Sequence, residues 1–172
     1  SRLAWRDHFM QKLEDEPQIE VMCLHRAAEN LRPRDPDATR LAAWTTGETG
    51  LPFVDANMRM LVQTGWMSNR GRQNVASYLV FELQQDWRLG AAFFEQQLLD
   101  YDVASNWGNW AYIAGALYSA PRSFNALKQA LEYDQAAAFT GLLLGKADNG
   151  QHRHQPYAQP NWPAPQAWTW QQ

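Results

Sequence analysis

The sequence is poor in the features that mark disulfide-linked, membrane-spanning or strongly charged proteins. It has one cysteine, Cys23, so no disulfide can form within the chain, and a reducing, cytoplasmic location is expected. Its apolar runs are much shorter than a membrane span. Its net charge is only -3, too small for a global field that attracts nucleic acid or an acidic membrane. A basic site for such a partner must therefore be local.

The common motifs of nucleotide-binding and hydrolytic enzymes are also missing. The sequence has no phosphate-binding P-loop, no dinucleotide-binding glycine fingerprint and no nucleophile elbow. A metal site is not expected, because His152 and His154 lack further ligands at a workable spacing. Cys23 is followed two residues later by His25, which allows a catalytic dyad, but a buried thiol is the simpler interpretation.

Tryptophan is the residue that the sequence has in excess. Nine of the 172 residues are tryptophan, which suggests a role beyond core packing, although buried or interface indoles are the ordinary explanation. Two of them lie in SNWGNW (residues 105–110), just after Asp100 and Asp102. On a helix, Asp102, Asn106 and Trp110 share one face. Such a face suits a planar heteroaromatic ligand, and a satisfied core network is the alternative.

The periodicity of apolar residues is helical along the chain, and no alternating strand pattern occurs. The stripe of Val54, Met58 and Leu61 is an example, because spacings of three and four residues align on one helix face. We therefore predict an all-α helical bundle over residues 1–145. Residues 146–172, rich in Gln, Pro and Trp, are predicted to form an extended tail.

Several residues mark where helices begin and end. Asp35 followed by Pro36 predicts a helix start, because aspartate can cap a first turn and proline is favoured just after the cap. Asp55 is predicted to cap the next helix and Gly65 to end it. Gly108 predicts a break in the helix that carries SNWGNW, because glycine is a weak helix former.

A second chemically suggestive stretch, residues 66–74, begins a helix with arginines in its first turn. The free N–H groups of a helix start, together with Arg70 and Arg72, suit an anion such as a phosphate. The alternative is that Arg72 simply pairs with a carboxylate. The residues of this stretch leave both interpretations open.

Residues 49–115 resemble the flavin-binding region of photolyases and cryptochromes. The segments MSNRGRQNVAS (67–77) and DYDVASNWGNW (100–110) are similar to those of the DASH cryptochromes, and LAWRD (3–7) is similar to a further family motif. A weaker similarity continues toward the tail. The resemblance implies the C-terminal half of the family's helical FAD-binding domain, with FAD as the cofactor.

The resemblance also implies roles for individual residues. Asn106 would lie beside flavin N5, and Trp110, followed by Trp87, would carry electrons to the flavin. Arg72 and Asp100 would form a buried or half-buried ion pair. The cofactor would be held, besides Asn106, by Arg6, Asn69, Arg72, Asp100 and Asp102. A flipped pyrimidine dimer would meet Trp5, Gln73 and Tyr112, and the DNA backbone would meet Arg70.

The sequence departs from the family pattern at several points. It contains neither the family's α/β antenna domain nor the earlier helical segment that holds the flavin pyrophosphate. The outermost tryptophan of the electron chain is missing, and Arg2 stands where an acidic residue is expected before Trp5. We therefore expect a second polypeptide, self-association or a removed segment to complete the flavin site, with weak or absent FAD binding otherwise.

Two functions follow from the sequence. The first is a FAD-binding protein for blue-light reception or for light-driven DNA repair of the deoxyribodipyrimidine photolyase type, with DNA as a partner. The second is a non-enzymatic helical interaction module that has lost tight flavin binding. A yellow protein that releases flavin on denaturation favours the first function. A colourless protein that cannot be reconstituted favours the second.

Overall fold

The computed structural model describes residues 2–30, 32, 35–117 and 120–145. Over these residues it contains no strand, and the all-α prediction is confirmed. The described residues form eight α-helices, which are α1 (Arg2–Asp15), α2 (Ala38–Thr46), α3 (Pro52–Thr64), α4 (Asn69–Ser77), α5 (Trp87–Gln97), α6 (Val103–Ala114), α7 (Ala126–Tyr133) and α8 (Ala138–Leu144). The predicted tail, with His152 and His154, lies outside the described residues.

Three short helical turns connect or extend these helices. Two 3₁₀ turns, Pro17–Glu20 and Arg26–Ala28, lie between α1 and α2. A π-helical turn, Tyr78–Glu82, continues α4 directly, and the N–H of Leu83 closes it by donating to the carbonyl of Tyr78 at 3.0 Å. Among the described residues, no helix is long and apolar enough to cross a membrane.

Helix α6 lies at the centre of the contacts that matter for the site. It packs against α1, α5 and α4, while α3 packs against α2, α4 and α8. Trp44 of α2 is fully buried in the aromatic core. Its ring stacks on Phe94 at 6.2 Å and meets Trp110 edge-on at 6.0 Å. Its Nε1–H donates to the carbonyl of Val75 at 3.0 Å, so this buried indole is satisfied.

The predicted start of α2 at Asp35–Pro36 is wrong by two residues. Asp37 is the N-cap, and its Oδ1 accepts from the N–H groups of Thr39 and Arg40 at 3.0 and 3.1 Å. The N–H of Asp37 donates to Oε1 of Gln85 at 2.9 Å. This tertiary bond fixes Asp37 in the extended conformation that a cap requires.

The predicted cap of α3 is also wrong, whereas its predicted end is confirmed. The helix begins at Pro52, so Asp55 lies inside the first turn. Its carboxylate reaches back to the N–H groups of Thr49 and Gly50 at 2.8 and 2.9 Å. Burial raises the pKa of Asp55 against these hydrogen bonds. Gly65 ends the helix with φ of 68°, a left-handed conformation that favours glycine.

Helix α6 does not break at Gly108, which corrects a third prediction. The helix runs without interruption from Val103 to Ala114. A Cβ at Gly108 would lie 2.5 Å from Cδ1 of Phe9, so the missing side chain lets α1 approach α6 closely. The packing of Phe9, which is only 2% exposed, therefore offsets the weak helix propensity of glycine here.

A buried ion cluster ties the start of α5 to the turns after α1. Arg88 Nη1 lies 2.8 Å from Glu29 Oε1, and Arg88 Nη2 lies 2.6 Å from Asp86 Oδ2. The N–H of Cys23 donates to Oε2 of Glu29 at 2.6 Å. Cys23 is buried, and burial raises the pKa of its thiol. This favours the buried-thiol interpretation over a reactive dyad, because nucleophilic cysteines need a lowered pKa.

Candidate functional site

A cavity of about 580 Å³ lies among α1, α4, α5 and α6. The lining is partly apolar, with Phe94, Leu98 and Ile113, and it also carries amides, arginines and carboxylates. Most of the site residues predicted from the sequence line it, namely Trp5, Arg6, Asn69, Arg72, Gln73, Asp100, Asp102, Asn106, Trp110 and Tyr112. The fold therefore brings together residues that are far apart in the chain.

Two predicted site residues lie outside this cavity lining. Trp87 is buried at the start of α5, and its ring meets that of Trp107 edge-on at 5.9 Å. Arg70 lies with its guanidinium carbon 4.8 Å from the centre of the Tyr133 ring. Trp87 is thus part of the core behind the cavity, whereas Arg70 lies against the exposed ring of Tyr133.

Sequence reasoning missed several lining residues. Ser105 and Asn109 line the cavity and lie within SNWGNW. Their closeness to Asn106 in the sequence could have identified them as site residues. Phe124 lies in the irregular segment before α7, where no periodicity points to it. Its N–H donates to Oγ of Ser77 at 2.8 Å, which fixes this segment against the end of α4.

Asp102 begins α6 and supplies one carboxylate of the cavity edge. Its Oδ1 accepts from the N–H of Ser105 at 2.8 Å, which is a regular N-cap. Hydrogen bonds from Ser105 lower the pKa of Asp102, with a smaller contribution from Arg6, whose Nη2 lies 3.9 Å away. Asp102 is therefore an anion at neutral pH.

Asn106 lies one turn further along α6, and its amide is held in one orientation. Its Nδ2–H donates to the carbonyl of Ala91 in α5 at 2.9 Å, and the residue is only 7% exposed. An amide side chain has two N–H donors and one carbonyl acceptor. After the bond to Ala91, Asn106 retains one donor and the oxygen for a ligand in the cavity.

Arg72 of α4 forms an ion pair with Asp100 at the cavity. Of the two interpretations of Arg72 from the sequence, this is the pairing with a carboxylate. Its Nη2 lies 2.8 Å from both carboxylate oxygens, and its Nε–H donates to the carbonyl of Met67 at 2.9 Å. The side chains are 27% and 54% exposed. Of the predicted buried or half-buried pair, the structure shows the half-buried form, and a ligand can reach it.

The end of the cavity next to α1 is aromatic. Trp5 is 50% exposed, and its ring lies 5.4 Å from that of Tyr112 and 5.7 Å from that of Phe9. Gln73 lies nearby in the lining, and its Oε1 is buried with no hydrogen-bond partner in the described part of the chain. A buried acceptor without a partner is costly, so a ligand donor at this point would be favourable.

These groups fit the ring end of FAD better than its phosphate end. The apolar part of the lining suits a ring face, and the free acceptor of Gln73 and the amide of Asn106 suit a hydrogen-bonding ring edge. The cations of the lining are Arg6 and Arg72, and each already faces a carboxylate. The cavity lining therefore offers little uncompensated positive charge for a pyrophosphate. The described residues also include no cluster of three or more side chains able to hold a metal ion.

Comparison with known proteins shows which family this chain resembles over most of its length. The family model of the FAD binding domain of DNA photolyase matches residues 1–166. Cryptochrome DASH of Natronomonas pharaonis is 51% identical over 147 residues, which are 83% of this chain and 30% of that protein. Cryptochrome DASH of Xenopus laevis is 44% identical over 92% of this chain and 31% of its own length. The chain thus spans less than a third of the length of these curated relatives.

Solved structures give the same result for the fold. The archaeal photolyase of Sulfolobus tokodaii, whose crystal structure contains two FAD molecules, is 35% identical with a TM-score of 0.85, over 94% of this chain and 39% of that one. The cryptochrome of Synechocystis is 43% identical with a TM-score of 0.85, over 93% of this chain and 34% of that one. The predicted family is confirmed, and so is FAD as the cofactor of that family.

Proposed function

The chain belongs to the photolyase and cryptochrome family, and on that premise we propose that its cavity holds the isoalloxazine ring of FAD for light-driven electron transfer. The observation that carries the proposal is the fixed amide of Asn106 beside the open Arg72–Asp100 pair in one cavity. Preorganised polar groups on one edge of an apolar cleft are what a planar heteroaromatic ligand requires.

The residues that would hold FAD are Arg6, Asn69, Arg72, Asp100, Asp102 and Asn106. When bound, FAD supplies one-electron chemistry driven by blue light. Asn106 orients the ring edge through the donor and acceptor that its bond to Ala91 leaves available. Asp102 keeps its charge at neutral pH and balances Arg6 at the cavity edge.

Two indoles behind this cavity would act as an electron relay. Trp110 lines the cavity and is only 2% exposed, so water has little access to it. Its ring packs against Gly90 of α5, and Trp87 lies three residues before that glycine. Residues three apart are neighbours on a helix face, so Trp87 lies on the face of α5 that carries Gly90. Electrons would pass from Trp87 to Trp110.

DNA repair is the use of this chemistry that the aromatic end of the cavity favours. A flipped pyrimidine dimer would stack on Trp5, which is half-exposed beside Tyr112. Gln73 would hydrogen-bond to it through its unpartnered Oε1. Arg70, which lies against Tyr133, would meet the DNA backbone. Blue-light reception needs the same flavin site without these DNA contacts.

We further propose that a second polypeptide, or a second copy of the chain, completes the phosphate end of the site in a cytoplasmic protein. The two cations of the lining are already matched by carboxylates. On α1, Leu3 is 71% exposed and Met10 is 39% exposed, although α1 borders the cavity. Leu3 and Met10 are seven residues apart and so share one face of α1, which is the surface that we expect the partner to cover.

Titration with two flavins tests the ring-site proposal. Riboflavin carries the isoalloxazine ring without phosphates, so the chain alone should bind riboflavin and FAD with similar, weak affinity. Quenching of flavin fluorescence measures both affinities, and light scattering on the same samples measures the association state. Absence of riboflavin binding at its solubility limit would contradict the ring site. Tight FAD binding by a monomer would contradict the need for a partner.

A further inference from the structure

The indole of Trp110 rests on a residue that has no side chain. A Cβ added at Gly90 of α5 would overlap Cη2 of Trp110 and would lie 2.5 Å from its Cζ3. It would also lie 2.7 Å from Cδ2 of Leu79. Real Cβ atoms essentially never approach another heavy atom this closely, so any larger residue at Gly90 has to displace the indole or the leucine.

Trp110 is confined on its other sides as well. The Phe94 ring meets it edge-on at 5.1 Å, and the Trp44 ring does so at 6.0 Å. Trp44 cannot yield freely, because its Nε1–H is bonded to the carbonyl of Val75 and the residue is fully buried. A displacement of Trp110 therefore changes its geometry relative to both rings, since close-packed interiors transmit strain.

The neighbour of Gly90 has a matching role for Asn106. The carbonyl of Ala91 accepts from Nδ2 of Asn106 at 2.9 Å, and Ala91 is fully buried. Two successive small residues of α5 thus contact two residues of α6 that lie one turn apart and line the cavity. Gly90 sets how closely the Trp110 indole approaches α5, and the backbone of Ala91 sets the orientation of the Asn106 amide.

We propose that Gly90 is a positioning residue, whose missing side chain fixes the place of the Trp110 indole between the cavity and Trp87. This inference rests on the proposed function, in which Trp110 passes electrons to the site. Electron transfer between rings slows steeply with distance, and functional groups must be held to within a fraction of an ångström by their packing. Gly90 provides that packing without touching the reacting groups of the cofactor.

The test is a double-mutant cycle between Gly90→Ala and Trp110→Phe, read by urea unfolding and near-ultraviolet circular dichroism. Phenylalanine lacks the Cη2 and Cζ3 atoms that a Cβ would meet. Gly90→Ala should therefore lower the unfolding midpoint of the wild-type chain more than that of the Trp110→Phe chain, in which only the close contact with Leu79 remains to be relieved. The near-ultraviolet signal of the Trp44–Trp110 contact should change in Gly90→Ala.

Gly108→Ala is the matched control. It adds the same methyl group to a helix, and its Cβ would lie 2.5 Å from Cδ1 and Cγ of Phe9 instead of meeting Trp110. It should show no coupling to Trp110→Phe. The lifetime of bound riboflavin fluorescence should lengthen in Gly90→Ala toward the value of Trp110→Phe, and it should be unchanged in Gly141→Ala, because the Cβ added to that glycine of α8 meets nothing within 4 Å in the described part of the chain.

The outcomes separate this inference from the proposed function. Equal effects of Gly90→Ala in both backgrounds, or an unchanged riboflavin lifetime despite coupling, would overturn the positioning role. If Gly90→Ala fails to fold while the double variant with Trp110→Phe folds, positions 90 and 110 are strongly coupled, and this outcome supports the positioning role. If the wild-type chain binds no riboflavin, the proposed function fails, and the cycle with the dichroism still decides whether Gly90 sets the place of Trp110.

Discussion

Arg88 and Arg72 are both held by carboxylates, yet they lie in very different surroundings. Arg88 has 15% of its side chain exposed, and its partners Glu29 and Asp86 have 14% and 7%. Arg72 pairs with Asp100, of which 54% is exposed. Burial alone would raise the pKa of Glu29, but hydrogen bonds from Arg88 and Cys23 outweigh it and lower the pKa to about 2.

The comparison separates charges that hold the fold from charges that remain available to a ligand. The described hydrogen-bond partners of Arg88 are all groups of the protein itself. The cluster therefore fixes the start of α5 and, with it, the position of Trp87. Around Arg72 one side of the pair faces the cavity and solvent. Water has to be displaced there before a ligand binds, but no internal bond has to break. The two arginines should therefore respond oppositely to substitution in stability and in binding.

The largest expected effect is on stability. Arg88→Ala should lower the free energy of unfolding by roughly 3 kcal/mol or more, because the buried carboxylate of Asp86 would lose the guanidinium that contacts both of its oxygens. Arg72→Ala should lower it by less than about 1 kcal/mol, because exposed ion pairs contribute little. Urea unfolding followed by far-ultraviolet circular dichroism measures both. Equal losses for the two variants would refute the distinction.

Glu82 extends the comparison to a largely buried carboxyl group that has no ion pair within the described residues. Its Oε2 has no hydrogen-bond partner in the described ranges, and burial raises its pKa from 4.5 to about 7. The folded state keeps this proton longer than the unfolded state does. The contribution of Glu82 to stability should therefore be greatest below pH 4.5 and fall as the pH rises to about 7, by up to roughly 3 kcal/mol.

Chemical denaturation across that pH range measures the Glu82 effect. Glu82→Gln should remove the decline, while Glu48→Gln, which changes an exposed carboxylate that accepts from Thr46, should retain it. Glu29 acts in a separate window, because its lowered pKa predicts a loss of stability only as the pH falls from 4.5 toward 2. A decline that persists in Glu82→Gln would assign it to another group.

A smaller effect is expected on ligand binding. Arg72→Ala should weaken riboflavin binding about tenfold, the loss expected for one hydrogen bond to a charged group. Arg40→Ala is the matched control, because Arg40 and Asp37 form an exposed ion pair on α2, with Nε 3.2 Å from Oδ2, outside the cavity lining. Fluorescence titration compares the two. Similar weakening by both substitutions would mean that net charge, and not the cavity, governs binding.

Local sequence chemistry predicted which segments form helices better than it predicted the residue at which each helix begins. Gly65 was identified as the end of α3 because a left-handed residue after an apolar stripe is a local requirement. Asp55 was misread because Pro52 occupies the first helical position and the N–H groups of Thr49 and Gly50 compete for the carboxylate. Gly108 was misread because a glycine is needed there for close packing against Phe9, which lies about a hundred residues away in the sequence.

The cavity itself was predicted through family resemblance more than through periodicity. Spacing alone placed only Asp102, Asn106 and Trp110 on one helix face. The cluster around Arg88 was not predicted, because Arg88 and Glu29 are 59 residues apart in the sequence. No local sequence pattern indicates a pair at that separation. The bond from Asn106 to Ala91 is likewise a contact between two helices, which only the packing of α5 against α6 creates.

The most direct test of the central claim follows side-chain amide signals by nuclear magnetic resonance while millimolar FAD is added to the chain. Weak binding suffices for this measurement, so it does not depend on a partner. The flavin-site account predicts shifts for the amides of Asn69, Gln73 and Asn106, which line the cavity, and none for Gln63 and Gln85, which do not. Shifts confined to Gln63 and Gln85, or no shifts at all, would contradict it.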